Sequence, residues 1–401
     1  MKICGIVCEY NPFHNGHAYQ ISEAKKRSGA DAVVCILGGD FTQRGEAAIL
    51  PDTLRAKHAV QCGADAAIAL PAVFSSAPAE IFARGAIKIL SSLPGFSCLS
   101  FGAEHAATDF YAAAAILNDE RAYMGKVKEL LAGGVSFAAA RSEALKDSPV
   151  SLLLASPNDV LAIEYARALL SEFPTGFPCA EQETRRVDLL PVQRKGAYKT
   201  QSLSGEFSSA AAIRKAIKNG ETSAVQNALP PVVYNDIRLF YQRFESAANA
   251  EAALQAAEKT ALLKSTPEAL SGVTDCTEGL QNALCRAARQ PGDVAERLTG
   301  KRYTTARLRR ICLHALLGIE ERFVRECLSS RLYIRPLAVK KGREDVLAAL
   351  SESEFPLLIR RYDERKLSLT AQRCLVKDRL AKDMYRAVTG AYAEEKQLFI
   401  D

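Results

Sequence analysis

The sequence predicts an α/β protein: a parallel, doubly wound sheet domain first, then a mainly α-helical C-terminal domain. Three observations carry this. Apolar runs of strand length alternate with helix-length segments through the first half, the signature of parallel strands joined by helical crossovers. The alternation stops near residue 224, after which strand signals are few and helical periodicity dominates. The chain has 401 residues and 48% hydrophobic content, enough for a sizeable core and for two domains rather than one.

The elements follow in order. An apolar run from Lys2 ends at Tyr10, a turn with Asn11 and Pro12 follows, and a helix is expected from about His17. AVVCILGG (Ala32–Gly39) reads as a second strand, closed by the polar loop DFTQRGE. PDTLRAKHAVQCGA reads as a helix, DAAIALP (Asp65–Pro71) as a third strand, APAEIFARGAIKILSSL as a helix and SCLSFG (Ser97–Gly102) as a fourth strand. Helices are expected around Asp109–Leu117, Glu120–Leu131, Phe137–Leu145 and Asn158–Leu170. QETRRVDLLPVQR is extended and is expected to hold the last strand, and Ser208–Asn219 reads as a helix with Ser at its start. Pro230–Pro231 marks the change of composition. No internal repeat or low-complexity tract stands out.

Composition narrows the class. No apolar run reaches membrane-span length, and the N-terminal apolar stretch is broken by Glu9 and lacks a small-residue cleavage site. The 11 cysteines form no Cys-x-x-Cys pair, and several sit in apolar runs. Reduced, mostly buried thiols in a cytoplasmic protein are therefore expected, with neither a disulfide framework nor a zinc knuckle. The net charge of +6 is compatible with an anionic partner.

The opening stretch carries the chemistry. A helix starting at the carboxyl edge of a first parallel strand offers free backbone N–H groups and a positive dipole end, which suits phosphate. His14 and His17, on either side of Gly16, add donors that can follow charge moving onto phosphate oxygens. Gly16 leaves space for a phosphate or a base to approach. Two turn histidines on a surface loop, or two ligands of a metal site, are the other readings of these residues. Three motif loops fall at strand ends: NPFHNGH, GGDFTQRGE and the loop after FGAE. Open α/β sheets bind ligands there, so a nucleotide pocket is expected.

An ordered set of motifs extends this along the chain: GIVCEYNPFHNGH (Gly5–His17), GGDFTQRGE (Gly38–Glu46), GADAAIALP (Gly63–Pro71), AEIFARGA (Ala79–Ala86) and FGAE (Phe101–Glu104), then SPNDVLAIEY (Ser156–Tyr165), PVQRKGAY (Pro191–Tyr198), SSAAAIRKAI (Ser208–Ile217) and KRYTTARLRR (Lys301–Arg310). The set resembles the bacterial tRNA(Met) cytidine acetate ligase family of the HIGH-type nucleotidyltransferase superfamily. The first motif alone reaches only the superfamily.

The resemblance implies a Rossmann-like catalytic domain over residues 1–223 and a helical, basic, tRNA-binding domain over residues 224–401. It implies that Gly5, Ile6, Val7, Glu9, Tyr10, Asn11, Pro12, Phe13, His14, Asn15, Gly16, His17 and Gly102 line an ATP site, with His14 and His17 catalytic on the phosphates. Asn158 and Arg194 would contact the nucleotide; Asn158 is also a good helix-start residue, and Arg194 could be a solvated strand charge. Ser208, Ser209 and Arg214 resemble the second superfamily signature and suit a triphosphate, or else make an ordinary Ser-capped helix. Mg²⁺ would accompany ATP, and no protein metal ligand is expected. Family members commonly have Asn where Asp40 stands, Lys where Asp52 stands and Glu where Ala69 stands. Asp40 and Asp52 thus add negative charge near the expected anion site.

Between Lys301 and Arg343 twelve Lys and Arg residues face only Glu320, Glu321 and Glu326, with Tyr303 and Tyr333 interleaved. A solvated helix face is the plain reading; so one-sided a run with Tyr for stacking also fits an RNA backbone, and Lys301, Arg302, Arg307, Arg309 and Arg310 are the candidates. The expected activity is ATP-dependent: acetate becomes acetyl-adenylate, and the acetyl group passes to a cytidine amine of elongator tRNA(Met). No membrane and no obligatory protein partner are implied. A small-molecule adenylyltransferase, or an RNA-binding protein with a non-catalytic nucleotide site, are the alternatives.

Overall fold

A computed structural model describes residues 1–173, 177–178, 184–195, 202–203, 205–392 and 398–401. Gly196, Ala197 and Tyr198 of the PVQRKGAY motif lie outside the described residues. Five strands form the parallel part of the sheet: β1 (Ile3–Cys8), β2 (Ala32–Leu37), β3 (Ala66–Ala69), β4 (Phe96–Ala103) and β5 (Asp188–Gln193). Their spatial order is β5-β4-β1-β2-β3. The order reverses at β1, so a crevice opens between the carboxyl ends of β1 and β4.

These strands are apolar on both faces because helices cover both. Ile3, Val7, Val34 and Ile36 belong to one buried cluster, whereas Cys4, Ile6, Val33 and Cys35 belong to the other. That alternation follows from the two-residue period of a strand. Helices α1 (Asn15–Ser28) and α2 (Asp52–Gln61) pack on the second face through Ile21, Ala24, Ala56 and Val60. Helices α3 (Ala79–Ser91) and α4 (Pro157–Glu172) cover the first through Phe82, Ile87, Leu90 and Ile163. Helix α5 (Ala210–Lys218) returns to the second face through Ile213 and Ile217.

The rest of the chain is mostly helical, with one departure. Strands β6 (Pro336–Lys340) and β7 (Phe399–Ile400) extend the sheet beyond β3, giving seven strands in all. Strand β6 runs antiparallel to β3, pairing Ala67 with Ala338, so the sheet is mixed and Asp188–Gln193 is not its last strand in sequence. The short apolar run Pro336–Val339 between charged neighbours has no periodicity of its own, and helical segments surround it. Residues 262–312 form a separate small core around Leu270, Leu284, Leu308 and Ile311. Helix α6 (Thr305–Leu317) links that core to the sheet through Leu313 and Leu317. The long helix α7 (Leu369–Thr389) lies against the same sheet face through Cys374 and Tyr385.

The ten described cysteines are all free, and eight of them are buried. No helix among the described residues is long and apolar enough to cross a membrane.

Candidate active site

The site starts from the turn after β1. Tyr10 takes a left-handed backbone (φ 48°), costly for a residue with a Cβ, and the chain then enters α1 at Asn15, slightly before the predicted start at His17. His14 is the N-cap. Its Nδ1 accepts from Gly16 N at 3.1 Å, and the His17 Nδ1 accepts from His14 N at 3.2 Å. The two rings stack with centroids 3.7 Å apart. With both Nδ1 atoms occupied as acceptors, each ring carries its proton on Nε2 and offers that N–H as a donor. Burial, reinforced by the charges of Arg194 and Arg214, lowers the His14 pKa to about 3. Burial, with His14 and Arg194, also pushes His17 well below the usual range. Both imidazoles are therefore neutral donors at physiological pH.

Two expectations about this helix start are corrected. The space beside Gly16 is filled by the His14 ring: a Cβ there would lie 2.9 Å from Cε1. The first-turn N–H groups are also largely used, since Gly16 bonds the His14 ring and His17 and Ala18 bond the His14 carbonyl. The imidazole Nε2 groups, more than free backbone amides, are what the turn presents.

Beside His17, at the β1–β4 switch point, lies a cavity of about 200 Å³. Its wall is apolar on one side, with Val7, Phe82, Phe101, Leu161 and Tyr165. Glu9, Tyr10, Asn11, Gly102 and Asn158 add polar and backbone surface, and Arg194 and Arg214 bring positive charge. Gly102 lies against Arg194: a Cβ there would touch Arg194 Cγ at 3.6 Å, an ordinary contact distance. Asn158 does not cap α4; its Nδ2 donates to Glu104 Oε1 at 2.6 Å, and Arg194 Nε lies 3.9 Å from the same oxygen. The other Glu104 oxygen, Oε2, is buried with no partner. Arg214 donates to the Asn11 carbonyl at 2.7 Å, which fixes its guanidinium over the turn.

Other expected residues support the site without lining it. Gly5 lets α3 pack close, since a Cβ would lie 2.7 Å from Leu90, and Ile6 and Phe13 are core. Pro12 belongs to the turn and is not on the cavity wall. Asn15 donates to the carbonyls of Glu206 and Asn227, holding that segment to α1. Ser209 caps α5 by accepting from Ala212 N, and Ser208 donates to the Gly205 carbonyl.

The structure adds residues that sequence patterns did not single out. Tyr165 and Gln20 line the cavity. Gln43 lines it too, donates its backbone N–H to Glu9 at 2.6 Å, and leaves its Nε2 buried without a partner. Burial raises the Glu9 pKa against the opposing pull of that N–H and of Arg214. Asp159 is fully buried and accepts from Glu104 N, His105 N and His105 Nδ1, which holds the loop after β4. Arg55, also fully buried, donates to the carbonyls of Glu9, Gly39 and Leu50 and so ties the loops after β1 and β2 together. Among the described residues no three His, Cys, Asp or Glu side chains gather where they could hold a metal ion.

Comparison with known proteins decides the family. Residues 1–398 match the family model HIGH Nucleotidyl Transferase. The tRNA(Met) cytidine acetate ligase of Caldanaerobacter subterraneus is 32% identical over 99% of this chain and 98% of its own. That of Acetivibrio thermocellus is 32% identical over 96% and 94%. The crystal structure of Thermotoga maritima TmcAL bound with alpha-thio ATP superposes over the full length of both chains, with TM-score 0.86 and 25% identity.

The chain belongs to the tRNA(Met) cytidine acetate ligase family.

Asp40 and Asp52, the two acids expected near the anion site, are neutralised by their surroundings. Asp40 accepts from Asp52 N at 2.7 Å, and Lys382 Nζ lies 2.7 Å from Asp52 and 3.3 Å from Asp40. Burial, then the charge of Asp52, raises the Asp40 pKa to about 6. Burial would raise Asp52 as well, but Lys382 and Arg335 overcome it and hold Asp52 low. The pair thus sits in a compensated cluster, away from the cavity wall.

The basic stretch is also largely paired. Arg307 meets Asp275 at 3.1 Å and Glu278 at 3.5 Å, and Arg302 meets Glu278 at 3.0 Å. Arg309 bridges Glu46 and Glu251 at 3.1 and 3.0 Å, while Arg310 reaches Asp275 and the Gln43 carbonyl. Tyr333 is fully buried and donates to Asp378, so it offers no stacking face. Lys301 and Arg302 are the exposed members of the five candidates. Arg309 and Arg310 instead seat the Thr42–Glu46 loop, whose Gly45 (φ 71°) has room for no Cβ because Arg309 C would lie 2.5 Å away.

Proposed function

We propose that this chain is an ATP-dependent ligase that activates acetate as acetyl-adenylate and acetylates N4 of the wobble cytidine of elongator tRNA(Met). The observation that supports it most is the His17 imidazole, a neutral Nε2–H donor, on the wall of a cavity with an apolar side and two arginines, with the His14 ring stacked against it. The apolar wall suits an adenine ring. The arginines and the imidazole N–H groups suit a triphosphate. The relatives' names and the nucleotide in the Thermotoga structure agree with this reading.

In the first step an acetate oxygen attacks the α-phosphorus of ATP, and the bond to the bridging oxygen breaks as pyrophosphate leaves. Acetate is already an anion, so no general base is required. The residues position and stabilise charge: His17, His14, Arg194 and Arg214 hold the phosphates as negative charge moves onto the leaving group. Asn158, held by Glu104, and Gly102 orient the nucleotide. A Mg²⁺ ion needs few protein ligands when it travels with ATP, and Glu104 Oε2 is an oxygen that fits; the ion would neutralise phosphate charge. In the second step the cytidine N4 attacks the acetyl carbonyl carbon, AMP leaves, and N4 loses a proton. Residues 224–401 take the tRNA, with Lys301 and Arg302 on its backbone.

ATP–pyrophosphate exchange without RNA tests this directly. Exchange that depends on acetate supports the ligase. Exchange that depends on a mononucleotide selects a small-molecule adenylyltransferase, and none with any acceptor leaves an RNA-binding protein.

A further inference from the structure

A second hollow, of about 370 Å³, opens at the same sheet edge over β2 and β3, beside Gly39, Asp40 and Ala72. Arg55 donates to carbonyls on both sides of the divide, Glu9 towards the cavity and Gly39 towards this hollow. Its outer wall is the segment 358–386, which no part of the activation chemistry uses.

The charge of this wall is unbalanced towards the rim. The carboxylates in its floor, Asp40, Asp52 and Asp378, are all buried and are met by Lys382 and Arg335. Glu364 is met by Arg379 at 2.5 Å. Arg360 and Arg361 are exposed, and among the described residues no carboxylate pairs with either guanidinium; Asp363 accepts from the Arg360 backbone N–H and from Lys366. The Nε groups of Arg335 and Arg386, which also line the hollow, have no hydrogen-bond partner.

Next to these arginines stands Tyr362, 65% exposed, with the Arg365 guanidinium 4.9 Å from its ring centre. A neighbouring groove shares Arg361, Glu364, Leu375 and Arg379 with the first hollow and includes Tyr362, so the two are continuous. Ile359, Leu369 and Val376 are exposed on the same segment. Exposed apolar groups concentrated beside uncompensated cations mark a recognition surface. An aromatic face flanked by guanidinium groups is the combination that takes unpaired nucleotides: phosphates on the cations, a base on the ring.

We infer that this groove is the docking face for an unpaired loop of RNA, with Arg360 and Arg361 on its phosphates and Tyr362 stacked on a base. The inference rests on the tRNA-ligase reading above; the loop after β2 contributes Gly39, Asp40 and Phe41 to this hollow and Gln43 to the nucleotide cavity. It also shifts the main contact away from the 301–310 stretch, whose arginines are already paired within the chain.

The test uses the full chain with an Arg360→Ala/Arg361→Ala variant, a Tyr362→Ala variant and Tyr362→Phe as the conservative control. All three positions are exposed, and melting temperature checks that each variant folds. Affinity for a tRNA transcript is measured across a salt series, and acetate-dependent exchange is measured without RNA. The double variant should lower the slope of log affinity against log salt by roughly 1.5. Tyr362→Ala should weaken binding roughly 5- to 100-fold with the slope unchanged, and Tyr362→Phe should restore it. Exchange should match the parent throughout. Parental affinity and slope in folded variants, or no tRNA binding by the parent, would overturn the inference; the first would leave the face to a protein partner. Absence of acetate-dependent exchange in the parent would instead count against the ligase reading, since that assay contains no RNA.

Discussion

The imidazoles of His14 and His17 stack 3.7 Å apart, and each accepts a backbone N–H through Nδ1. Both should therefore be neutral Nε2–H tautomers, visible in the ¹⁵N shifts of the free protein. Because burial puts the His14 pKa at about 3 and depresses His17 too, neither should titrate between pH 6 and pH 9. Adenylate formation should show no histidine limb in that range. A rate that follows an ionisation near pH 6.5 would contradict this assignment.

The same burial has a stability cost with a definite sign. His14 and His314 have folded pKa values of about 3 and about 4, below the unfolded value of 6.5. The unfolded chain then binds more protons below pH 6.5, so stability should fall as pH drops from 6.5 towards 4. Denaturant midpoints at pH 7, 6 and 5 should decrease in that order in an Asp40→Asn background, which removes the opposing titration of that carboxylate.

Asp40 has the opposite sign. Its folded pKa of about 6 lies above the 3.8 of an unperturbed Asp side chain, so ionising it costs stability as pH rises from about 4 to 6. Asp40→Asn keeps an acceptor for Asp52 N and removes the like charge. It should raise stability at pH 7.5 by roughly 1–3 kcal/mol, and the gain should vanish near pH 4. An equal gain at both pH values would mean that charge is not the cause.

How much of this was legible in the sequence varies from residue to residue. The strand–turn–helix around His14 followed from local periodicity, and the cavity positions of Asn158, Arg194 and Arg214 followed only from the resemblance of their motifs. The meaning of the 301–310 arginines did not. Acids in the same window are few, yet the arginines' partners Glu46, Glu251, Asp275 and Glu278 come from distant segments. Pairing across the fold is invisible to a window of sequence. Gly16 misled for a related reason: its missing side chain makes room for a neighbouring ring, not for a ligand.

That pairing changes what substitution should do. Replacing Arg307, Arg309 and Arg310 with Ala leaves Asp275 and Glu46 without partners, since Glu278 keeps Arg302 and Glu251 keeps Lys218, and loosens the loop that carries Gln43. It should lower the melting temperature and slow adenylate formation, instead of acting on tRNA binding alone. Gly45→Ala should reproduce both effects by forcing a Cβ against Arg309, at a cost of about 1–3 kcal/mol. Thermal melts and RNA-free exchange on these variants check it; a normal melt with normal exchange would dismiss the loop's role.

The central claim is that the imidazole donors stabilise charge on the departing pyrophosphate. His14→Ala also removes a helix cap, worth about 1 kcal/mol, so His17→Ala is the cleaner probe. The deciding measurement is acetate-dependent ATP–pyrophosphate exchange by His17→Ala, taken beside its melting temperature. The account predicts exchange slowed by ~10²–10³ in a protein that still folds, with ATP binding weakened less. Near-parental exchange in a normally folded His17→Ala protein would contradict it.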